Sequence, residues 1–131
     1  MKKIVYVVDD DLLALDVICS TFRNGGYHVE AYSDPATFLA AAPQLPHGCI
    51  VLDLKMPVID GLKVQEALSE MGIRFPIIFN SGRCWVRDAV RGMQAGAADF
   101  LQKGTYIEPL VRAVENALRT HPAPETLIGS G

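Results

Sequence analysis

The chain has 131 residues, half of them apolar, and a formal net charge of −3. That is the size of one domain with a two-sided core. No apolar run approaches the length needed to cross a bilayer, and no Lys/Arg cluster supplies the basic footprint of a nucleic-acid-binding surface, so membrane and direct nucleic-acid partners are not expected. The cysteines, Cys19, Cys49 and Cys84, are odd in number and lack CxxC spacing, which argues against a disulfide framework and a zinc site alike. The opening MKKIVYVVDDD turns acidic after five apolar residues, too soon for a secretory signal. A cytoplasmic protein with free thiols is expected.

In chain order, KIVYVV (3–8) reads as a buried strand. A helix follows from about Asp11, with Leu15, Ile18, Cys19 and Phe22 on one face, and Gly25 and Gly26 stop it. YHVEAY (27–32) alternates like a strand, and Ser33-Asp34-Pro35 supplies a cap and a first-turn proline for a short helix ending near Pro43. CIVLD (49–53) is a third strand; after the loop LKMPVIDG comes a helix to about Met71, closed by Gly72. PIIFN (76–80) is a fourth strand. Val86, Ala89, Val90 and Met93 are spaced as the inner face of a fourth helix, ended by Gly96. DFL (99–101) is a minimal fifth strand, and Ile107, Leu110, Val111, Val114 and Leu118 form the stripe of a last helix. The proline- and glycine-rich 121–131 reads as a linker-like tail or a cut end, which leaves 1–120 as the folded domain.

Apolar strands alternating with amphipathic helices predict a parallel sheet covered on both faces, a doubly wound α/β fold of flavodoxin-like order 2-1-3-4-5. In such a sheet the residues that end the strands face the ligand. Here those are Asp9 and Asp10, Asp53, Asn80 and Ser81, and Lys103. Converging carboxylates raise one another's pKa unless a cation shares the site, and a hard divalent ion, Mg²⁺ first among them, suits all-oxygen ligands. With a metal and an ammonium beside it, Asp53 becomes an oxygen nucleophile suited to an anionic phosphoryl group.

The blocks VYVVDDD, VLDLKMPVIDG, PIIFNSG and AGAADFLQK, in this order and spacing, resemble those of response-regulator receiver domains of two-component signalling. The resemblance covers about residues 3–119 and is closest to the branch whose receivers precede helix-turn-helix output domains. It implies that Asp53 accepts a phosphoryl group from a sensor histidine kinase and that Asp9, Asp10, Asp53 and the backbone carbonyl of Lys55 hold Mg²⁺. Ser81 would bond the phosphoryl oxygen, Lys103 would neutralise it, and Phe100 would change rotamer with it. The face built from the fourth helix, fifth strand and fifth helix would then engage a second copy, an output domain or a partner protein. Lys55 and Arg83, two residues beyond the phosphoacceptor and the hydroxyl, would flank the path of attacking water and tune the phosphoryl lifetime. Such a protein is a regulator rather than an enzyme, limited to self-phosphotransfer and autodephosphorylation.

Bland alternatives stand beside these roles. An acidic pair after a strand is often a helix cap, Ser-Gly is a common turn, Lys103 fits a solvated surface and Phe100 fits plain core. Gly104 stands where receivers nearly always have a proline with a cis peptide; without the proline a trans bond is expected, and the aim of Lys103 becomes an open question. Two other functions fit less of the chain. One is a degenerate receiver acting as a phosphorylation-independent interaction module. The other is a haloacid-dehalogenase-like phosphatase, suggested by the D-x-D spacing of Asp9 and Asp11 but lacking that family's threonine and cap-domain length.

Overall fold

The computed structural model describes residues 3–82, 85–104 and 106–124. Five strands, β1 (Ile4–Val8), β2 (His28–Tyr32), β3 (Cys49–Leu52), β4 (Ile77–Ser81) and β5 (Asp99–Gln102), alternate with five helices. The helices are α1 (Leu12–Asn24), α2 (Pro35–Ala41), α3 (Gly61–Glu70), α4 (Val86–Gln94) and α5 (Glu108–Thr120). A short 3-10 turn, Ala42–Gln44, extends α2. All strand pairs are parallel and the order is β2-β1-β3-β4-β5, the doubly wound arrangement that the alternation predicts.

Side-chain alternation divides the core between the two faces of the sheet. Val5, Val7, Val51 and Ile78 meet α1 and α5, whereas Tyr6, Val8, Leu52 and Phe79 meet α2 and α3. Every residue of β1, β3 and β4 is buried, so these strands cannot slip register by one residue without exchanging whole layers of side chains. Helix starts follow from local chemistry. Asp11 Oδ1 accepts the N–H groups of Leu13 and Ala14, at 3.1 and 3.3 Å, so the last acid of the opening triplet caps α1. Asp34 accepts the N–H of Ala36 with Pro35 in the first turn of α2.

The fourth helix departs from expectation. Val86, Val90 and Met93 are 80, 46 and 44% exposed, and the buried residue of α4 is Gly92. A Cβ at position 92 would stand 2.8 Å from the Phe79 ring, so the glycine permits a close approach that a side chain would block. Gln65 Nε2 fixes the same point by donating to the Gly92 carbonyl at 2.9 Å. This contact sets the rotation of the helix and turns the spaced apolar residues outward, where they join Trp85 and Tyr106 as exposed apolar groups.

Candidate functional site

Strand register brings the site together. Val8 pairs with Leu52, so Asp9 and Asp53 leave the sheet side by side, and the Asp53 N–H donates to the Val8 carbonyl at 2.9 Å. Ser81 pairs with Gln102, and the Lys103 N–H continues that ladder to the Ser81 carbonyl at 2.8 Å. Asp9, Asp53, Asn80 and Ser81 are all buried. Because β1 and β3 are central strands, both buried carboxylates rest on backbone that cannot relax outward.

The region after Asp53 is equally constrained. Pro57 and Ile59 close a tight turn, with the Ile59 N–H on the Pro57 carbonyl at 2.7 Å and Val58 between them at φ 68°, the strained geometry of a γ-turn. The chain then doubles back. The Gly61 N–H donates to the Leu54 carbonyl at 2.8 Å, and a Cβ on Gly61 would lie 2.5 Å from the carbonyl oxygen of Asp53. Asp60 caps α3 by accepting the Lys63 N–H at 3.0 Å. The DG pair is therefore required locally: the aspartate starts the helix and the glycine lets it press against Asp53.

Asp9, Asp10 and Asp53 can each offer an oxygen to one point, with those atoms within 4.8 Å of one another. Lys103 Nζ lies 2.8 Å from Asp9 Oδ2 and 3.8 Å from Asp53 Oδ2. Burial, followed by the charge of Asp9, pushes the Asp53 carboxyl up to about 7, with Lys103 opposing. Burial pulls the Lys103 ammonium down, yet its hydrogen bond to Asp9 and the charges of Asp9 and Asp53 outweigh that and raise it. An oxygen-only set with such crowded charge fits a hard divalent cation, and these three acids could hold one.

The expected residues thus meet with few exceptions. Lys103 aims inward with Gly104 behind it, and the described residues contain no cis peptide. Phe100 is half-buried with its ring centroid 5.5 Å from that of Phe79, next to the Gly92 contact. Lys55 pairs with Asp88 of α4, Nζ to Oδ2 at 3.0 Å. Arg83, Cys84 and the tail from 125 lie outside the described residues. The D-x-D spacing dissolves, since Asp11 is spent as a helix cap. Sequence reasoning missed Asp88 and Gln65, because partners 33 and 27 positions away leave no local signature.

Acids and a lysine gathered at the carboxyl edge of a doubly wound 2-1-3-4-5 sheet define a class of α/β domains that hold a charged ligand at the strand ends. Within that class the chain belongs to the response regulator receiver domain family, which it matches over residues 5–115. It is 40% identical to the response regulator protein TmoT of Ectopseudomonas mendocina, over 92% of this chain and 55% of that protein. It is 39% identical to TodT of Pseudomonas putida, over 91% and 52%. The chain therefore spans about half the length of these curated relatives. A crystal structure of FixJ-N superposes with a TM-score of 0.88 at 30% identity, covering 95% of this chain and 99% of that one. Among the described residues, no helix is long and apolar enough to cross a membrane.

Proposed function

We propose that this domain, 1–120 with a linker-like tail, is a cytoplasmic signalling receiver in which Asp53 accepts a phosphoryl group from the phosphohistidine of a sensor histidine kinase. The observation that carries the choice of Asp53 is how its neighbours are occupied. Asp9 Oδ1 accepts the Asp11 N–H at 2.9 Å and Asp9 Oδ2 holds Lys103, while Asp10 is exposed. Of the two buried carboxylates fixed by central strands, Asp53 is the less engaged by the cation, at 3.8 Å against 2.8 Å for Asp9.

In the transfer, an ionised oxygen of Asp53 attacks the phosphorus; the P–O bond forms as the P–N bond breaks, and the electron pair leaves on the imidazole, which takes a proton from solvent. Asp9, Asp10, Asp53 and the Lys55 carbonyl are the ligands assigned to Mg²⁺, which when bound neutralises charge on the carboxylates and the incoming phosphoryl. Lys103, already poised between Asp9 and Asp53, supplies the second cation. The Ser81 hydroxyl is assigned to a phosphoryl oxygen, with Phe100 adjusting beside Phe79. The exposed apolar residues of α4 then offer a surface, with β5 and α5, for a second copy, an output domain or another partner.

The degenerate-receiver alternative loses the support that Gly104 lent it, since Lys103 reaches the acids without the proline. Intact-mass spectrometry after treatment with acetyl phosphate and Mg²⁺ tests the proposal. One phosphoryl group is expected, mapped to Asp53 and absent from Asp53→Asn; equal labelling of that variant would remove the claim.

A further inference from the structure

The Lys55–Asp88 pair joins the loop after β3 to the first turn of α4, and its carboxylate end is the more enclosed, with side-chain exposures of 50% for Lys55 and 15% for Asp88. Among the described side-chain hydrogen bonds and ion pairs, it is the one that ties that turn to another element. Trp85, at the N-cap, makes no side-chain capping bond, and Val86, Val90 and Met93 of α4 are exposed. One turn further on, the helix is pinned where Gly92 meets Phe79 and Gln65. The helix is therefore fixed at Gly92 and fastened at Asp88.

Lys55 is two residues beyond Asp53, on a flexible four-carbon stem. Phosphorylation would replace the single charge of Asp53 with roughly two on the phosphoryl oxygens, so about one negative charge is added two residues from the lysine whose ammonium Asp88 holds. We propose that the Lys55–Asp88 ion pair is a charge-operated clasp. It fastens α4 to the β3–α3 loop while Asp53 is bare, and a phosphoryl group on Asp53 draws Lys55 away and frees the first turn of α4. Asp88 is then a positioning residue, acting on the site only through Lys55. The inference rests on the Asp53 reading above, and it makes one inter-element ion pair the link between charge at the strand ends and the outward-facing surface of α4.

Competition for one ammonium gives the clasp a thermodynamic signature that a merely structural role of Asp88 lacks. Beryllofluoride, an analogue of the phosphoryl group, is titrated in Mg²⁺ into the full chain, with bound ligand counted by fluorine NMR and Trp85 emission followed in parallel. Asp88→Asn releases Lys55 and should tighten beryllofluoride binding about two- to five-fold, the worth of one partly exposed ion pair. In a Lys55→Gln background the same substitution should change nothing. An equal effect in both backgrounds, or none with Lys55 present, overturns the clasp. Asp53→Asn separates the two ideas: binding that survives this substitution, or is absent from the unaltered chain, removes the Asp53 reading and the clasp with it. Binding that depends on Asp53 but ignores Asp88 removes the clasp alone.

Discussion

Helices α3 and α4 are neighbours of nearly equal length, 10 and 9 residues, on the same face of the sheet, yet they are held by different forces. α3 buries Val64 and Leu68 in the core and drives Gly61 against the backbone of Asp53. α4 buries one glycine and depends on an amide hydrogen bond and an ion pair. Apolar burial on the α3 side has no directional alternative and fixes the carboxylate; the polar contacts of α4 can exchange partners at small cost. The molecule thus places a rigid frame around Asp53 beside an element whose restraints respond to charge.

The sharpest way to break this contrast is at Gly61. Gly61→Ala forces a methyl into the Asp53 carbonyl and should cost about 3 kcal/mol or more, since backbone rather than a movable side chain must yield. A urea midpoint near that of the unaltered protein would mean the frame is softer than the packing implies. Paired valines make the next comparison. Val64→Ala, at a fully buried position, should lower stability by about 2 kcal/mol, whereas Val90→Ala on the exposed side of α4 should stay within about 0.5 kcal/mol. Equal losses would show that α4 is packed as α3 is.

The rigid side also carries an electrostatic cost. The Asp53 carboxyl keeps its proton up to about pH 7 in the fold, against an ordinary value of 3.8. Between these values the folded state binds more protons than the unfolded one. Stability is therefore fully present below about pH 4, falls as the pH rises, and reaches its lower level above about pH 7. Asp53→Asn lacks this charge, so its advantage over the unaltered protein should grow through that window to at most about 4 kcal/mol and then level off. Mg²⁺ should shrink the gap. Thermal melts across pH that show a constant difference would contradict the burial of an ionised Asp53.

Most of the fold was legible because its signals are local. Five apolar strands alternating with amphipathic helices require a covered parallel sheet, and the register of buried strands carries Asp9, Asp53, Ser81 and Lys103 to one edge. The site was legible for the same reason: each residue ends a strand, so its place follows from the strand alone. The rotation of α4 was not, because Val86, Ala89, Val90 and Met93 have the spacing of an inner face, and that spacing carries no record of what lies opposite. Only the packed structure puts the Phe79 ring where Gly92 alone can meet it. The partner of Lys55 and the acid that Lys103 approaches most closely were likewise undetermined, since a long cationic side chain reaches many places and its choice depends on which carboxylates the fold brings near. Sequence by itself settled the layers, the strand ends and the acids they carry; tertiary contact decided which face of α4 looks outward and which acid holds each lysine, because those outcomes depend on distances between segments far apart in the chain.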